Sequence, residues 1–405
     1  MQATSCGARS VLELPVRPVS NPLVQSVLVV GGGVAGLVAA RVLERHAFAC
    51  TVVEQRVGAN SGGAGLMLWP TALRALGELG FDASALGTPV RHSILRDHRG
   101  RTLLKVPLGL RRAALPRAAT REALMNVLRA GLGGAVRTTS CRALERHGEV
   151  YRAILSDGAT LDADAVVIAE GMRSSLRASV APAARVRSCR RHSWRGLAAF
   201  DDPELASGVC IETLGRGLRV GLFPVGPGRV YWFVQRNEDE RSPRLRREDL
   251  PGLLEGWPAP IRAVVAASED VIETSIDELL PQPAWVRDGL LLVGDAAHGM
   301  TPDLGRGACT AITNLRAFDR ALDRCASFRD AARAYARRQG WRTLLVQHGS
   351  RIAGSVRQAE NATLCATRNA FWRFAPPLLL LRLLTPLLTR HLQPPGPGSG
   401  ARAGA

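Results

Sequence analysis

The chain is nearly without lysine. Of its 53 basic residues, Lys105 alone is not an arginine. The arginines are scattered rather than blocked. The formal charge of +18 therefore does not form the clustered stripe of a nucleic-acid footprint. No helix-turn-helix signature, aromatic RNA-binding motif or zinc-ligand spacing accompanies it, so nucleic acid is not an expected partner and no metal site is expected. Paired cysteines are also missing. The eight cysteines lie at 6, 50, 141, 189, 210, 309, 325 and 365, with no C-x-x-C pair. In a chain of 405 residues they read as reduced thiols of a cytoplasmic protein. Long apolar runs are lacking too. The most apolar stretch, FWRFAPPLLLLRLLTPLLTRHL (371–392), is broken by Arg382 and by Pro376, Pro377 and Pro386. It falls short of the ~20 residues of a spanning helix. A packed terminal helix is the expectation, with a monotopic membrane contact through it as the alternative. Residues 1–22 carry no apolar run after a basic start, so no signal peptide is expected. Charged residues are only 22% and hydrophobic ones 46%, which argues against general disorder and allows a sizeable core.

What is present falls into units. Residues 1–22 read as a flexible arm. SVLVVGGGVAGLVAARVLERHAFACTVVEQ (26–55) reads as strand, glycine turn, helix and strand, a βαβ unit. Val27–Val30 has the unbroken apolar character of a parallel strand buried on both faces. TREALMNVLRAGL (120–132) reads as a helix capped by Thr120, and 150–168 as a hairpin turning at Asp157-Gly158. Residues 190–236 are β-rich, GLLLVGDAA (289–297) returns to the parallel pattern, and 307–392 is mostly helical. The fold class is thus α/β. A Rossmann-like dinucleotide-binding domain is expected from 23–84, 116–184 and 286–345. A β-rich substrate domain is expected from 85–115 and 185–285, with C-terminal helices over 346–393. The last residues, 394–405, are rich in Pro and Gly and read as a disordered tail.

GGGVAG (31–36) satisfies G-x-G-x-x-G. Gly31 allows the tight turn, Gly33 lets a pyrophosphate approach the backbone, and Gly36 lets helix and strand pack closely. Val34 and Ala35 open the helix with free N–H groups at the positive end of its dipole. Glu54 ends the next strand, followed by Gln55, and its carboxylate can accept both hydroxyls of an adenosine ribose. The unit predicts an adenine dinucleotide without distinguishing NAD(P) from FAD.

A second stretch, GDAAHGMTPDLGRGACTAITN (294–314), decides between them. It resembles the flavin-binding G-D-A-A-H-x-x-x-P-x-x-G-Q-G motif of single-component FAD-dependent aromatic hydroxylases and epoxidases. That family includes salicylate-, urate- and zeaxanthin-acting enzymes. Gly294, Asp295, Ala296, Ala297, His298, Pro302, Gly305 and Gly307 match. The resemblance implies that Asp295 binds the FAD ribitol. It also implies that the backbone of Gly305, Arg306, Gly307, Ala308 and Cys309 faces the flavin pyrimidine edge, and that Pro302 walls the reacting position. A helix N-terminus suits that edge, because reduced flavin is anionic there. GGAGLMLWPTALRALGELGF (62–81) resembles the segment beside the flavin ring, with Thr71 where the family often has Asn. AEGMRSSLR (169–177) resembles the D-G motif tied to FAD and NAD(P)H, with Glu170 for Asp and with Gly171, Ser174 and Arg177 in register. Arg117 matches an arginine that typically contacts FAD. Arg306 replaces Gln, Cys309 replaces a common Asn, and Thr313-Asn314 replaces Glu-Asp.

The resemblance covers about 25–390. It implies FAD as cofactor and NADPH or NADH as co-substrate. Through a flavin C4a-hydroperoxide, O₂ would hydroxylate or epoxidise a small hydrophobic aromatic or olefinic substrate, as in secondary metabolism. A monomer or homodimer is expected. No residue is assigned as acid or base. Two alternatives stand. One is another flavin oxidoreductase, although the W-x-W-x-I-P motif of a halogenase is missing. The other is a flavin-binding accessory protein with weakened catalysis, motivated by Glu170, Arg306, Thr313 and Asn314. His298 is read as structural. Alternation places Tyr231 and Phe233 on one strand face and Trp232 on the other. Arg195 and Arg219 are candidates for an anionic substrate, and His192 and Tyr231 for a base.

Overall fold

The apolar run Val27–Val30 lies at the centre of a six-stranded sheet, where burial on both faces demands such a sequence. The computed structural model describes residues 24–56, 65–109, 114–134, 136–238, 245–268 and 270–375. The expected arm (1–22), the tail (394–405) and the apolar stretch from 376 onward lie outside the described residues. Ten helices are described: α1 (Val34–Arg45), α2 (Pro70–Glu78), α3 (Arg121–Ala130), α4 (Pro203–Ala206), α5 (Leu250–Leu253), α6 (Ala259–Ala266), α7 (Asp295–His298), α8 (Gly307–Leu322), α9 (Phe328–Arg357) and α10 (Ala362–Phe374).

In spatial order the first sheet runs 286–287, 290–292, 165–168, 26–30, 49–54 and 136–138, parallel throughout except at the 286–287 edge. Helix α1 packs against this sheet and against α8 and α3. One expectation is corrected here. Residues 150–168 are not a single hairpin. Strand 150–155 pairs with 160–163 and 141–147 in a separate sheet. Strand 165–168 leaves it and lies between 26–30 and 290–292. The reason is in the side chains. AVVI at 165–168 is buried at every position, whereas 160–163 exposes part of its surface. Two-sided burial selects the parallel sheet. Asp164 pins the switch by accepting from the Gln25 and Ser26 N–H groups, both at 2.8 Å.

A seven-stranded sheet draws its strands from 92–107 and 186–279. Alternation sorts its two faces as expected. Trp232 joins Trp194 in an apolar core with α5 and α6. Tyr231 and Phe223 turn the other way, toward Met67 and Val225. A three-stranded sheet (65–68, 117–120, 88–89) lies at this junction. Thr120 caps α3 by accepting from the Ala123 N–H at 3.1 Å.

Candidate functional site

Helix N-termini are usually closed by a side chain, because their first N–H groups have no partner within the helix. Thr120, Ser327 and Asn361 do this for α3, α9 and α10. Among the uncapped helices, α2, α5 and α6 carry proline in the first turn and α7 an acid, whereas the two helices of the glycine motifs carry neither. Neither α1 nor α8 has a capping side chain or an acidic residue in its first turn. Both leave their N–H groups and dipoles to an external anion.

Local sterics fix both turns. At Gly36 a β-carbon would lie 1.7 Å from the Gly31 carbonyl oxygen. Gly31 itself has φ +108°, and a β-carbon there would meet the Ala169 carbonyl oxygen at 2.5 Å. Gly33 is open by contrast. A β-carbon there would find only an Arg121 guanidinium nitrogen, at 4.0 Å. That opening is the space a pyrophosphate needs. Glu54 ends its strand beside the turn, where its carboxylate accepts from the Gly32 N–H (2.6 Å) and the Arg56 N–H (3.0 Å).

The two glycine loops adjoin. Gly294, at φ +59°, backs onto Ala35, and a β-carbon there would lie 2.5 Å from the Ala35 β-carbon. Asp295 follows. Its side chain is accessible to solvent, yet protein surrounds the carboxyl closely enough to desolvate it. That desolvation raises the proton affinity of its carboxyl, with Arg121 and Arg177 opposing. A β-carbon on Gly307, the first residue of α8, would lie 3.9 Å from Asp295 Oδ1. No side chain or backbone N–H among the described residues donates to this carboxylate, so it is an acceptor waiting for a ligand hydroxyl. Open backbone at Gly33, two uncapped helices and this carboxylate together fit an extended dinucleotide.

Arg177 ties the motifs together. It donates to the carbonyls of Ala296 (2.8 Å), Gly171 (2.9 Å) and Met172 (2.6 Å). Glu170 supports it by accepting from the Ser174 hydroxyl (2.6 Å) and the Leu176 N–H (3.0 Å). The longer carboxylate at 170 is therefore used to close its own loop. Arg117, expected to contact FAD, also donates to the carbonyls of Leu86 (2.5 Å) and Gly87 (2.9 Å). The arginine beside Gly33 and Asp295 is Arg121, the first residue of α3. Sequence reading missed it, although its position just after a cap was visible.

Comparison with known proteins agrees with this geometry. The family described as FAD binding domain matches residues 25–324. Aurachin C monooxygenase/isomerase of Stigmatella aurantiaca is 29% identical over 366 residues, 86% of this chain and 94% of that protein. The 2-heptyl-3-hydroxy-4(1H)-quinolone synthase of Pseudomonas aeruginosa is 30% identical over 399 residues, 90% and 98% of the two chains. Klebsiella pneumoniae HpxO, solved with FAD and uric acid, superimposes with a TM-score of 0.81 at 23% identity, covering 91% of this chain and 98% of that one. The chain belongs to the FAD-dependent monooxygenase family.

Its cofactor is FAD. In this flavoenzyme Cys309, in the first turn of α8, is buried and holds the strand beside the cleft. Its thiol donates to the Met67 carbonyl (3.3 Å), and its sulfur accepts from the Trp69 N–H (3.4 Å). Arg306 is buried under the Trp69 ring, 5.9 Å from its centroid. The loop carrying Pro302 is held by Ser350 of α9, which donates to the Thr301 carbonyl at 2.7 Å.

Asp303, next to Pro302, was not singled out from sequence. It is buried between Arg191 (2.9 Å) and Arg219 (2.6 Å) of the seven-stranded sheet. Burial pushes its carboxyl up, and the two arginines reverse this and leave it below the usual carboxylate range. Arg219 also donates to Gln235 (2.9 Å) and Glu212 (3.0 Å). Its charge is thus already matched, and it bridges the sheet to the flavin loop. Arg195 donates to Thr274. His192 is buried against Trp194, with Glu238 at 3.3 Å and Glu273 at 3.6 Å, so it packs within the sheet.

The departures at the end of the second motif have structural partners. Asn314 donates to Thr343 of α9 (3.0 Å), and its amide nitrogen lies 3.3 Å from His298 Nε2. Thr313 donates back to the Cys309 carbonyl (2.8 Å). His298 is fully buried, and burial lowers its pKa from 6.5 to about 4. It is neutral in the fold at pH 7. Below pH 6.5 the unfolded chain gains a proton that the folded chain refuses until about pH 4. This residue should therefore remove about 2 kcal/mol of stability at pH 5 relative to pH 7.5. Urea denaturation at both pH values checks this. In His298→Gln that part of the loss should vanish, and an unchanged loss would refute the assignment.

Proposed function

We propose that the enzyme uses NAD(P)H and O₂ to hydroxylate or epoxidise a hydrophobic aromatic or olefinic small molecule, in the cytoplasm and in secondary metabolism. Bound FAD supplies hydride acceptance and oxygen transfer. The chain's own residues bind, orient and exclude water. Gly33, Arg121 and the first N–H groups of α1 would hold the pyrophosphate, and Glu54 the ribose. Asp295 would hold the ribitol, and the first turn of α8 the pyrimidine edge. Glu170, Gly171 and Arg177 fix the loop between the two motifs.

The observation that carries the substrate class is Tyr231. Its ring lies against Gly65 of the strand beside the cleft, and a β-carbon on that glycine would fall 2.3 Å from the Tyr231 ring. Phe223 packs beside it, with centroids 5.9 Å apart. Among the described residues its hydroxyl makes no hydrogen bond. Burial raises its proton affinity, with Arg195 and Arg219 opposing, so it stays protonated at neutral pH and serves as a donor. An apolar wall with one free donor suits a flat, weakly polar substrate. The similar proteins named above include an aurachin C monooxygenase/isomerase and a 2-heptyl-3-hydroxy-4(1H)-quinolone synthase, which supports this class.

The test is NAD(P)H oxidation by the FAD-loaded enzyme with alkylquinolones and phenols as candidate substrates. A true substrate should stimulate oxidation and yield product with one added oxygen atom. Tyr231→Phe should raise KM about tenfold, the effect of one lost hydrogen bond, and leave FAD content unchanged. Flavin that is never reduced faster with any candidate would favour the accessory-protein reading.

A further inference from the structure

Soluble helices usually expose few large apolar side chains together. Helix α9 departs from this. Trp341 (56% exposed), Leu345 (40%), Ile352 (64%) and Val356 (42%) are spaced four, seven and four residues apart, which places them on one helical face. The stripe runs about 22 Å along the axis at ~1.5 Å per residue. Arg338 and Arg342 lie on the same face at its N-terminal end, and the Arg342 guanidinium sits 5.5 Å from the Trp341 ring centroid.

The surroundings are strongly cationic. Over its 30 residues α9 carries seven arginines and one acid, Asp330. Arg338 and Arg342 also line a groove between α2, α8 and α9, together with Arg74, Arg320 and Arg324. The only carboxylate lining that groove is Glu78, which is already paired with Arg316 (2.7 Å) and Arg320 (3.1 Å). The guanidinium groups of Arg74, Arg324 and Arg338 have no hydrogen-bond or ion-pair partner among the described residues. Arg342 is partly desolvated, and Arg338 beside it adds like-charge repulsion; both weaken its hold on its proton.

Charge decides what covers this face. The chain beyond α10 is apolar in sequence, but no acidic residue occurs anywhere after Glu360. That segment could match the stripe but not the arginines. A second copy packed symmetrically would set arginine against arginine. An anionic bilayer satisfies both parts, with Trp341, Leu345 and Ile352 entering the interface and the arginines meeting phosphates.

We propose that the α9 face is a peripheral docking surface for anionic phospholipid. No helix among the described residues is long and apolar enough to cross a membrane, so the contact is interfacial. It is independent of the proposed substrate.

The experiment is co-sedimentation of the full-length FAD-loaded protein with vesicles of phosphatidylcholine alone or with 30 mol% phosphatidylglycerol. The bound fraction should rise at least fivefold with the anionic lipid and fall in 0.5 M NaCl. The double variant Trp341→Ser/Ile352→Ser should bind at least tenfold more weakly, and Arg338→Glu/Arg342→Glu should lose the preference for anionic lipid. Trp341, Ile352 and Arg338 are exposed and Arg342 is half-buried at the groove edge. Thermal melts should therefore match wild type for the Trp341/Ile352 variant, and Arg338→Glu alone serves if the arginine pair melts lower. Three results would each overturn the proposal. One is no vesicle binding by wild type. Another is equal binding by the Trp341/Ile352 variant, which would assign binding to the chain beyond α10. The third is a lipid-free dimer in sedimentation equilibrium that this variant converts to monomer.

Discussion

Replacing Asp303 by alanine should destabilise the protein by roughly 3–5 kcal/mol, the cost of breaking a buried ion pair from one side. The size follows from what would remain. Arg191 and Arg219 are both buried, and both lose a partner at once. Asp303→Asn should recover little, because an amide keeps an acceptor but not the charge. The carboxyl is held below its ordinary value in the fold. Its contribution is therefore complete above the ordinary carboxylate range and is lost as pH falls through the folded value. Urea unfolding at pH 7 and at pH 3.5 measures both claims. A loss under 1 kcal/mol at pH 7 would show that the cluster does not hold the sheet to the flavin loop. Gly354 of α9 shares the site. A β-carbon there would meet Asp303 Oδ2 at 2.2 Å, so Gly354→Ala should reproduce part of the loss.

This cluster also marks where sequence reading stops. Local features were legible because their causes are local. Gly31, Gly33 and Gly36 stand at spacings that a phosphate turn dictates, and Thr120 stands one residue before an amphipathic helix. Trp232 and Tyr231 part to opposite faces because strand alternation leaves no other arrangement. Strand 165–168 was misread because its neighbour in sequence offered a plausible hairpin. Only the company of 26–30 and 290–292 explains its complete burial. Arg219 and Arg191 stand 84 and 112 residues from Asp303, and an ion pair across such a distance leaves no periodic trace. Arg121 escaped notice for a similar reason: only the strand-to-helix turn at Thr120 brings it beside Gly33. The departures Thr313 and Asn314 look like losses beside the family motif. Here they are explained by partners on α8 and α9 that a motif does not include.

Asp295→Ala should give protein that retains no flavin through purification, whereas His298→Ala should retain it. The two residues lie three positions apart on one short helix, so a general disruption of α7 would affect both. Their surroundings differ in kind. Asp295 opens onto the cleft with no protein donor, beside Arg121, Arg177 and the first turn of α8. A hydroxyl bonded to that carboxylate contributes about 1.5–3 kcal/mol, so its loss should weaken FAD binding by roughly 10–100-fold. His298 faces inward, between Asn314 and the Trp285 ring 5.3 Å away. Its removal leaves a cavity and costs stability, but it takes no group from the cofactor. Flavin absorbance per mole of purified protein and FAD titration by fluorescence quenching separate the two effects. Asp295→Asn refines the test. It keeps an acceptor and the side-chain length while removing the charge that Arg121 and Arg177 face, so it should fall between wild type and alanine. Equal flavin loss in Asp295→Ala and His298→Ala would mean that the fold of α7, rather than the carboxylate, holds the cofactor.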